Sequence, residues 1–413
     1  MDVILSVPLF VSFFLMYKKY KKAYLSLIFL QFVSLFLQPF VGNSTEFDST
    51  KTLLNIIFVN LNLFLIIAPW SYSSFSVVWI EDNNYFLFFK KMLYRVLRLN
   101  LVLNVFVLVI VLIYIPDIAA FKAQQAFKDL YESIPYFANI FRYAFVSQNL
   151  GYVAIPIFFL HLSRGEYKKS KIALLYASSS LLSGFAFYSR AQIFTFVLIF
   201  FIYFFLIKNT LPLFLQRKIG VILKRVSVII VSLFLLITVV RFSAMDYYSD
   251  RIPKNSIIQN PIIYNIVDYA SQGYSNGINQ LEVYSEEKNL GGEQLFRDVY
   301  QILNFVGLKK WDSKESQAMI DKAYNYDGGA FNGYTCYLVF NTGYFITMLI
   351  SFVFYLVIKF KLKGKRKIPI TSLYGIVLLL IIPVVSIFYC GYSLLYFPFL
   401  FLLFVKVLYF FKK

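Results

Sequence analysis

Two arginines stand at the ends of long apolar runs and a third follows ten residues after the second, and their chemistry is the first functional signal in the chain. Arg190 lies in SGFAFYSRAQIFTFVLIFF, just before the apolar run 191–208. Arg241 ends the apolar run 226–241, and Arg251 lies in YYSDRIPK. A guanidinium keeps its charge and binds phosphate oxygens in a bidentate manner. Arginines that converge at a membrane boundary would therefore form a pyrophosphate site. The alternative is a structural role, as snorkelling anchors or in ion pairs with Asp246 or Asp250.

Carboxylates and neutral polar groups follow in segment 241–332. Asp268, Glu282 and Glu293 are candidate general bases, and Glu282 ranks first because NGINQLEVY surrounds it with amides able to hold sugar hydroxyls. Rings that stack on sugars and groups that hydrogen-bond to hydroxyls give the candidate sugar-binding residues. These are Tyr274, Asn276, Gln280, Arg297 and Thr335. The alternative for each is a solvated or packed side chain.

Other chemistries have little support in the sequence. It contains no GxxxxGK[ST] phosphate loop, no CxxC and no HExxH, so neither an ATP-driven enzyme nor a metal site is predicted. Its single histidine, His161, is expected to be packed or interfacial. Both cysteines, Cys336 and Cys390, lie in apolar surroundings in the sequence and suggest neither a disulfide framework nor a zinc site. The sequence therefore predicts neither a bound metal nor another cofactor.

The elements that must position these residues are membrane helices. Hydrophobic residues make up 59% of the chain and charged residues only 15%, a balance typical of polytopic membrane proteins. A bilayer core of about 30 Å needs about 20 apolar residues per helix. Pro69 is expected to kink or end the third run. Eleven runs are predicted to span the membrane: 2–17, 23–42, 53–79, 100–116, 148–163, 172–188, 191–208, 226–241, 333–358, 369–388 and 392–410.

The distribution of charge predicts the orientation of these spans. Lysines and arginines concentrate in alternate connections, as in KKYKK (18–22) and KFKLKGKRK (359–367), whereas most acidic residues lie in the others. Because basic loops stay on the cytoplasmic side, the N-terminus is expected outside and the C-terminus inside. The net charge of +19 then reflects loops that face anionic lipid, and no nucleic-acid partner is predicted.

The predicted organisation has three parts. Residues 1–240 carry the first eight spans with an outer amphipathic segment at 117–147, residues 241–332 form a large extracytoplasmic loop, and residues 333–413 carry the last three spans. Within the loop, EQLFRDVYQILNFVGL repeats apolar residues at helical spacing and predicts a helix along the membrane surface. Such a helix could roof a cavity or have no role beyond packing.

This arrangement, with YSRAQIFTFVLIFF before a large outer loop and GGAFNGYTCYLVFNTGYFITML after it, resembles bacterial oligosaccharide repeat-unit polymerases of the Wzy type. The resemblance implies a GT-C-like, all-α polytopic membrane protein of the bacterial cytoplasmic (inner) membrane. Arg190 would match the arginine of the SR helix start, Arg241 and Arg251 those that flank the large loop, and Thr335 and Gly343 the helix-entry pattern.

The same resemblance implies a function. The family polymerises undecaprenyl-pyrophosphate-linked glycans into O-antigen or capsule, with lipid-linked donor and acceptor and often a separate chain-length-regulating co-polymerase. A flippase for the same lipid-linked oligosaccharide is one alternative, although it would be expected to show two related halves and charges within the membrane. O-antigen ligases share the architecture, but they depend on a histidine in the large loop, and His161 is predicted on the cytoplasmic side.

Overall fold

The computed structural model describes residues 6, 10, 22–41, 50–72, 84–114, 138–186, 190–243, 250, 252–254, 256–305, 307–324, 331–363, 370–386, 388 and 390–412. Over these residues the backbone forms α-helices, short 3-10 helices and connections, and no strand occurs among them. The predicted all-α class is therefore confirmed for the described part of the chain.

The helices fall into two compact units. In chain order the α-helices are α1 (Lys22–Leu37), α2 (Thr50–Ile67), α3 (Asn84–Tyr114), α4 (Ala138–Ser147), α5 (Ile155–Ser163), α6 (Tyr167–Ala186), α7 (Arg190–Ile207), α8 (Leu213–Ser243), α9 (Pro261–Glu282), α10 (Arg297–Phe305), α11 (Ser313–Ala323), α12 (Gly333–Leu362), α13 (Ile370–Val385) and α14 (Ser393–Lys412). The first unit contains residues 1–74, 229–365 and 379–393, and the second contains 75–228, 366–378 and 394–413. Two of the unit boundaries therefore fall inside α8 and α13.

Several of these helices have the character of membrane spans. Four described segments are long and apolar enough to cross a bilayer, namely Thr50–Tyr72, Asn84–Tyr114, Gly333–Leu362 and Leu395–Lys412. On α3, one face buries Leu97, Val107 and Val111, while large apolar side chains such as Leu99 and Ile113 remain exposed. Exposed apolar surface is unfavourable in water but not in lipid. These features favour a membrane location.

Two helices are longer than the sequence predicted. The predicted spans 100–116 and 226–241 correspond to α3 and α8, which begin at Asn84 and Leu213 and so include the basic segments 90–98 and 216–225. Lysine, arginine and leucine are good helix formers, so the helices continue through the charges. The predicted interruption at Pro69 is confirmed, because α2 ends at Ile67 and the 3-10 helix Ala68–Tyr72 follows.

Helix α9 was not predicted, although it occupies the centre of segment 241–332. Residues next to its start explain where the helix begins. The Asn260 side chain caps the helix by accepting hydrogen bonds from the backbone N–H groups of Ile262 and Ile263, both at 3.1 Å. Pro261 occupies the first turn, where a missing N–H costs no helical hydrogen bond. The Gly, Ser and Asn content of 271–287 is typical of an exposed surface segment. Residues 271–275 are instead buried, because α9 packs against α1, α2 and α12.

Helix α12 consists of two arms that meet at Gly343. The glycine has φ 78° and ψ 170°, outside the helical region. The Tyr334 hydroxyl lies 3.2 Å from Ser351 Oγ. In one straight helix these residues, 17 positions apart, would be separated by about 26 Å. Each arm is about 12–14 Å long from Gly343 to these residues, so their contact requires an acute reversal. The ten-residue arm 333–342 therefore turns back into the longer arm 344–362.

Candidate functional site

The carboxylate that ranked first as a base lies where three helices of the first unit meet. Glu282 is the last residue of α9 and is partly exposed. Asn55 Nδ2, on α2, donates a hydrogen bond of 3.2 Å to Glu282 Oε1, and the Tyr344 hydroxyl, on α12, donates one of 2.8 Å to Asn55 Oδ1. Lys51 Nζ donates to the Glu282 carbonyl oxygen. We call Lys51, Asn55, Glu282, Tyr284 and Tyr344 the Glu282 cluster.

Aromatic rings form one side of the Glu282 cluster. The Tyr284 ring lies edge-on to Phe340 and Tyr344, with centroids 5.1 and 5.6 Å away. Burial, followed by the nearby Glu286 carboxylate, raises the pKa of the Tyr284 hydroxyl above its ordinary value. The hydroxyl therefore remains protonated at neutral pH. The cluster thus combines a carboxylate, an ammonium group, an amide and two phenols, a set that can bind a polyhydroxylated ligand and accept a proton from it.

The chain after α9 is held against the short arm of α12. Asn341 Oδ1 accepts hydrogen bonds from the backbone N–H groups of Gln294 and Leu295 at 3.1 and 2.9 Å. The Leu290 N–H donates to the Phe340 carbonyl at 2.7 Å, and the Tyr337 hydroxyl donates to the Gln294 carbonyl at 2.9 Å. These bonds fix segment 283–296 beside the turn at Gly343 and preorganise the surroundings of Glu282.

The other two candidate bases occupy different environments. Asp268 is 2% exposed and lies 14 residues before Glu282 on α9, about 21 Å away along the helix axis. Glu293 lies in the connection before α10, where Trp311 Nε1 donates to its Oε1. The structure therefore does not bring Asp268 and Glu282 together, and it ties Glu293 to the α10–α11 region.

The candidate sugar-binding residues are distributed between the helix packing and the outer segment. The Tyr274 hydroxyl accepts a hydrogen bond of 2.7 Å from Asn60 Nδ2 and lies 2.8 Å from Ser6 Oγ. Asn276 Nδ2 donates to the Phe331 carbonyl at 3.3 Å. Gln280 and Thr335 are buried. Arg297 Nη1 donates to Gln317 Oε1 at 3.4 Å and so links α10 to α11. The helix predicted in EQLFRDVYQILNFVGL is confirmed as α10, over Arg297–Phe305.

Two of the three candidate pyrophosphate-binding arginines lie on described helices. Arg190 is the first residue of α7, in the second unit, and Arg241 lies near the end of α8, in the first. The side chains of both, and the whole of Arg251, lie outside the described residues. Their predicted convergence stays a prediction.

The histidine that bears on the ligase alternative lies in the second unit. His161 is buried in α5, and its Nδ1 lies 2.5 Å from Glu166 Oε2. Its packed position agrees with the expectation from the sequence.

Sequence reasoning missed Lys51, Asn55, Tyr284 and Tyr344. One signal was present: α2 is apolar overall, yet it carries Asn55, Asn60 and Asn62, and buried amides in an apolar helix mark polar contacts between helices. These amides carry no charge, so the pattern of ionisable groups along the sequence does not mark them. Comparison with known proteins adds no relative, since no family model, curated protein or solved structure matches the chain.

Proposed function

We propose that this protein polymerises undecaprenyl-pyrophosphate-linked oligosaccharide repeat units into a surface polysaccharide, such as O-antigen or capsule, by inverting glycosyl transfer. In this proposal it is a GT-C-like enzyme of the bacterial cytoplasmic membrane with about eleven spans, its N-terminus outside and its C-terminus inside. The observation that carries the proposal is the Glu282 carboxylate, which is partly exposed and oriented by Asn55.

The proposed reaction joins an acceptor hydroxyl to the anomeric carbon of the donor. The hydroxyl oxygen attacks that carbon from the face opposite the pyrophosphate, its proton passes to Glu282, and the bond between the anomeric carbon and the pyrophosphate oxygen breaks with its electron pair on the oxygen. Undecaprenyl pyrophosphate is the leaving group. Its developing charge needs fixed cations, and Arg190, Arg241 and Arg251 are proposed for this role.

Lys51 and the aromatic rings extend the proposed site. The Lys51 ammonium, bonded to the Glu282 carbonyl, places a cation beside the proposed base and would attract the anionic substrate. The ring of Tyr344, which is partly exposed and packs edge-on against the buried Tyr284, offers an apolar face and a hydroxyl for the sugar next to the reacting bond. Asn55 would act as a positioning residue, because its amide holds the carboxylate.

The proposal is tested by replacing the base without changing its shape. We expect Glu282→Gln in the native host to remove long polysaccharide chains from a gel of surface glycan and to leave single repeats, at unchanged protein level. The matched control is Glu287→Gln, an exposed carboxylate five residues away that should retain the ladder.

The same gel separates the alternatives. A normal ladder with Glu282→Gln would remove the base assignment. Deletion of the protein should also leave single repeats on the surface. A complete absence of surface repeats would indicate a flippase instead, and long chains that stay on the lipid carrier would indicate a ligase.

A further inference from the structure

The short arm of α12 begins at a small cavity in the first unit. The cavity, of about 20 Å³, lies among α1, α2, α9 and the first turn of the arm, and it has room for one water-sized species. Residues from Asn332 to Cys336 line it on one side, and Gln31 and Ser34 on another. The positive end of a ten-residue helical arm therefore borders this space.

Two hydroxyl groups in the lining have no hydrogen-bond partner within the described protein. Ser34 is 3% exposed and Thr335 is 2% exposed, and Ser34 Oγ and Thr335 Oγ1 are both buried without a partner. Asn332 Oδ1 is a third such atom in the lining. Buried polar atoms in native proteins are normally paired, so this group indicates a bound species that accepts or donates hydrogen bonds here.

The backbone around the cavity is tightly packed. A Cβ added to Gly277 would lie 2.6 Å from the Asn332 carbonyl oxygen, and one added to Gly333 would lie 2.8 Å from the Gly273 carbonyl oxygen. The N–H groups of Gly333 and Tyr334 donate to the Phe388 and Ser386 carbonyls at 3.1 and 2.9 Å. The start of the arm is therefore held in place, and the ligand-binding groups are the side chains.

We propose that this cavity binds a small monovalent anion of halide size. Among the described residues that line it, none carries a formal charge, so the preference for an anion over a cation comes from the hydrogen-bond donors of the lining and from the end of the helical arm, whose positive charge is partly offset by the Phe388 and Ser386 carbonyls. The Ser34 and Thr335 hydroxyls are donors, and Gln31 Nε2, which gives one hydrogen to Ser386 Oγ at 2.8 Å, has a second. Rotation of the Asn332 amide by 180° would add another donor.

The size of the cavity allows a halide but excludes larger anions such as phosphate. A tetrahedral phosphate or a pyrophosphate is several times larger than one water-sized sphere, so this site is distinct from the proposed substrate site. Water is the competing occupant, because it would satisfy the hydroxyls and the Asn332 oxygen together. The dependence of the unfolding temperature on halide distinguishes a bound anion from a bound water. If the cavity holds only water, the unfolding temperature should not depend on which anion the buffer contains.

The test uses the purified full-length protein in detergent. We expect its unfolding temperature to be higher, by roughly 2 °C or more, in sodium chloride or bromide than in sodium gluconate at equal ionic strength. The double variant Ser34→Ala, Thr335→Val should lose this difference. Ser271→Ala should keep it, since Ser271 Oγ donates to the Val267 carbonyl of its own helix at 2.9 Å and does not line the cavity.

A second measurement needs no variant and therefore does not depend on their folding. Crystals of the unchanged protein grown with bromide should give an anomalous peak between Ser34 and Thr335. Equal unfolding temperatures in chloride, bromide and gluconate, or an ordered water at that position without an anomalous signal, would overturn the proposal. Since neither measurement involves polysaccharide, its outcome is independent of the proposed polymerase.

Discussion

The Tyr334 hydroxyl lies 3.2 Å from Ser351 Oγ, although the two residues are 17 positions apart in one continuous apolar segment. The contact shows that the chain reverses at Gly343. Only the arm 344–362, about 28 Å long, then matches the thickness of a bilayer core, and the arm 333–342 is too short to cross it. The reversal places Phe340, near the end of the short arm, against the ring of Tyr284 in the Glu282 cluster.

Because of the reversal, Gly343→Ala should lower the free energy of unfolding. At φ 78° and ψ 170° the backbone lies in a region that is almost restricted to glycine, whereas the nearest atom to an added Cβ, Asn289 Nδ2, is 3.7 Å away. The cost therefore comes from backbone strain and not from a clash. We expect a loss of about 1–3 kcal/mol in the free energy of unfolding, measured by thermal unfolding in detergent.

Gly220→Ala is the control for that substitution. Gly220 lies inside α8 with helical geometry, and nothing lies within 4 Å of an added Cβ. Alanine should stabilise the protein there by about 0.5–1 kcal/mol. If Gly343→Ala behaved like Gly220→Ala, the reversal at Gly343 would be refuted.

Helix α9 should be sensitive to a methyl group at Gly277. The added Cβ would lie 2.6 Å from the Asn332 carbonyl oxygen, so α9 and the start of α12 would have to separate. We expect Gly277→Ala to cost about 1–3 kcal/mol in unfolding free energy. Gly375→Ala is the comparison, because its nearest atom, a Phe399 ring carbon, lies at an ordinary 3.5 Å. Equal stability of the two variants would contradict the close approach.

Asn55→Ala should weaken both stability and the proposed activity. It removes the acceptor of the Tyr344 hydroxyl and the donor to Glu282, and each group left unsatisfied costs about 1–3 kcal/mol. If Asn55 positions the proposed base, the polysaccharide ladder should also shorten. The control, Asn62→Ala, affects an amide that donates to the Phe58 carbonyl of its own helix at 2.9 Å. A normal ladder in Asn55→Ala at normal protein level would exclude the positioning role.

The environment of Glu166, in the second unit, predicts that the stability of the fold depends on pH. The hydrogen bond from Lys169 Nζ, at 2.8 Å, and the contact with His161 lower the pKa of the Glu166 carboxyl from 4.5 to about 2. Because the folded-state pKa is depressed, this stabilisation is complete above pH 4.5 and is lost as the pH falls towards 2. The unfolding temperature of Glu166→Gln should depend less on pH in that interval. Identical slopes for the two proteins would contradict the assignment.

Local sequence determined much of the helical architecture. Over the described residues the apolar runs from residue 23 onward are helical, Pro69 ended α2, and the spacing of apolar residues after Glu293 predicted α10. Asn260 and Pro261 form a helix start that can be recognised in the sequence, although the Gly and Ser content after them concealed it. These features could be predicted because helix propensity, capping and apolar periodicity depend on neighbouring residues.

Tertiary structure decided the position of the Glu282 cluster and of the cavity. Asn55 bonds to Glu282 across 227 positions and to Tyr344 across 289, and such contacts depend on how α2, α9 and α12 pack. Sequence composition likewise placed 271–275 on a surface, whereas helix packing buried them. The reversal at Gly343 had no local signal beyond a glycine, because a glycine permits the required φ and ψ without demanding them. Packing between distant helices, which no local pattern encodes, selects that conformation.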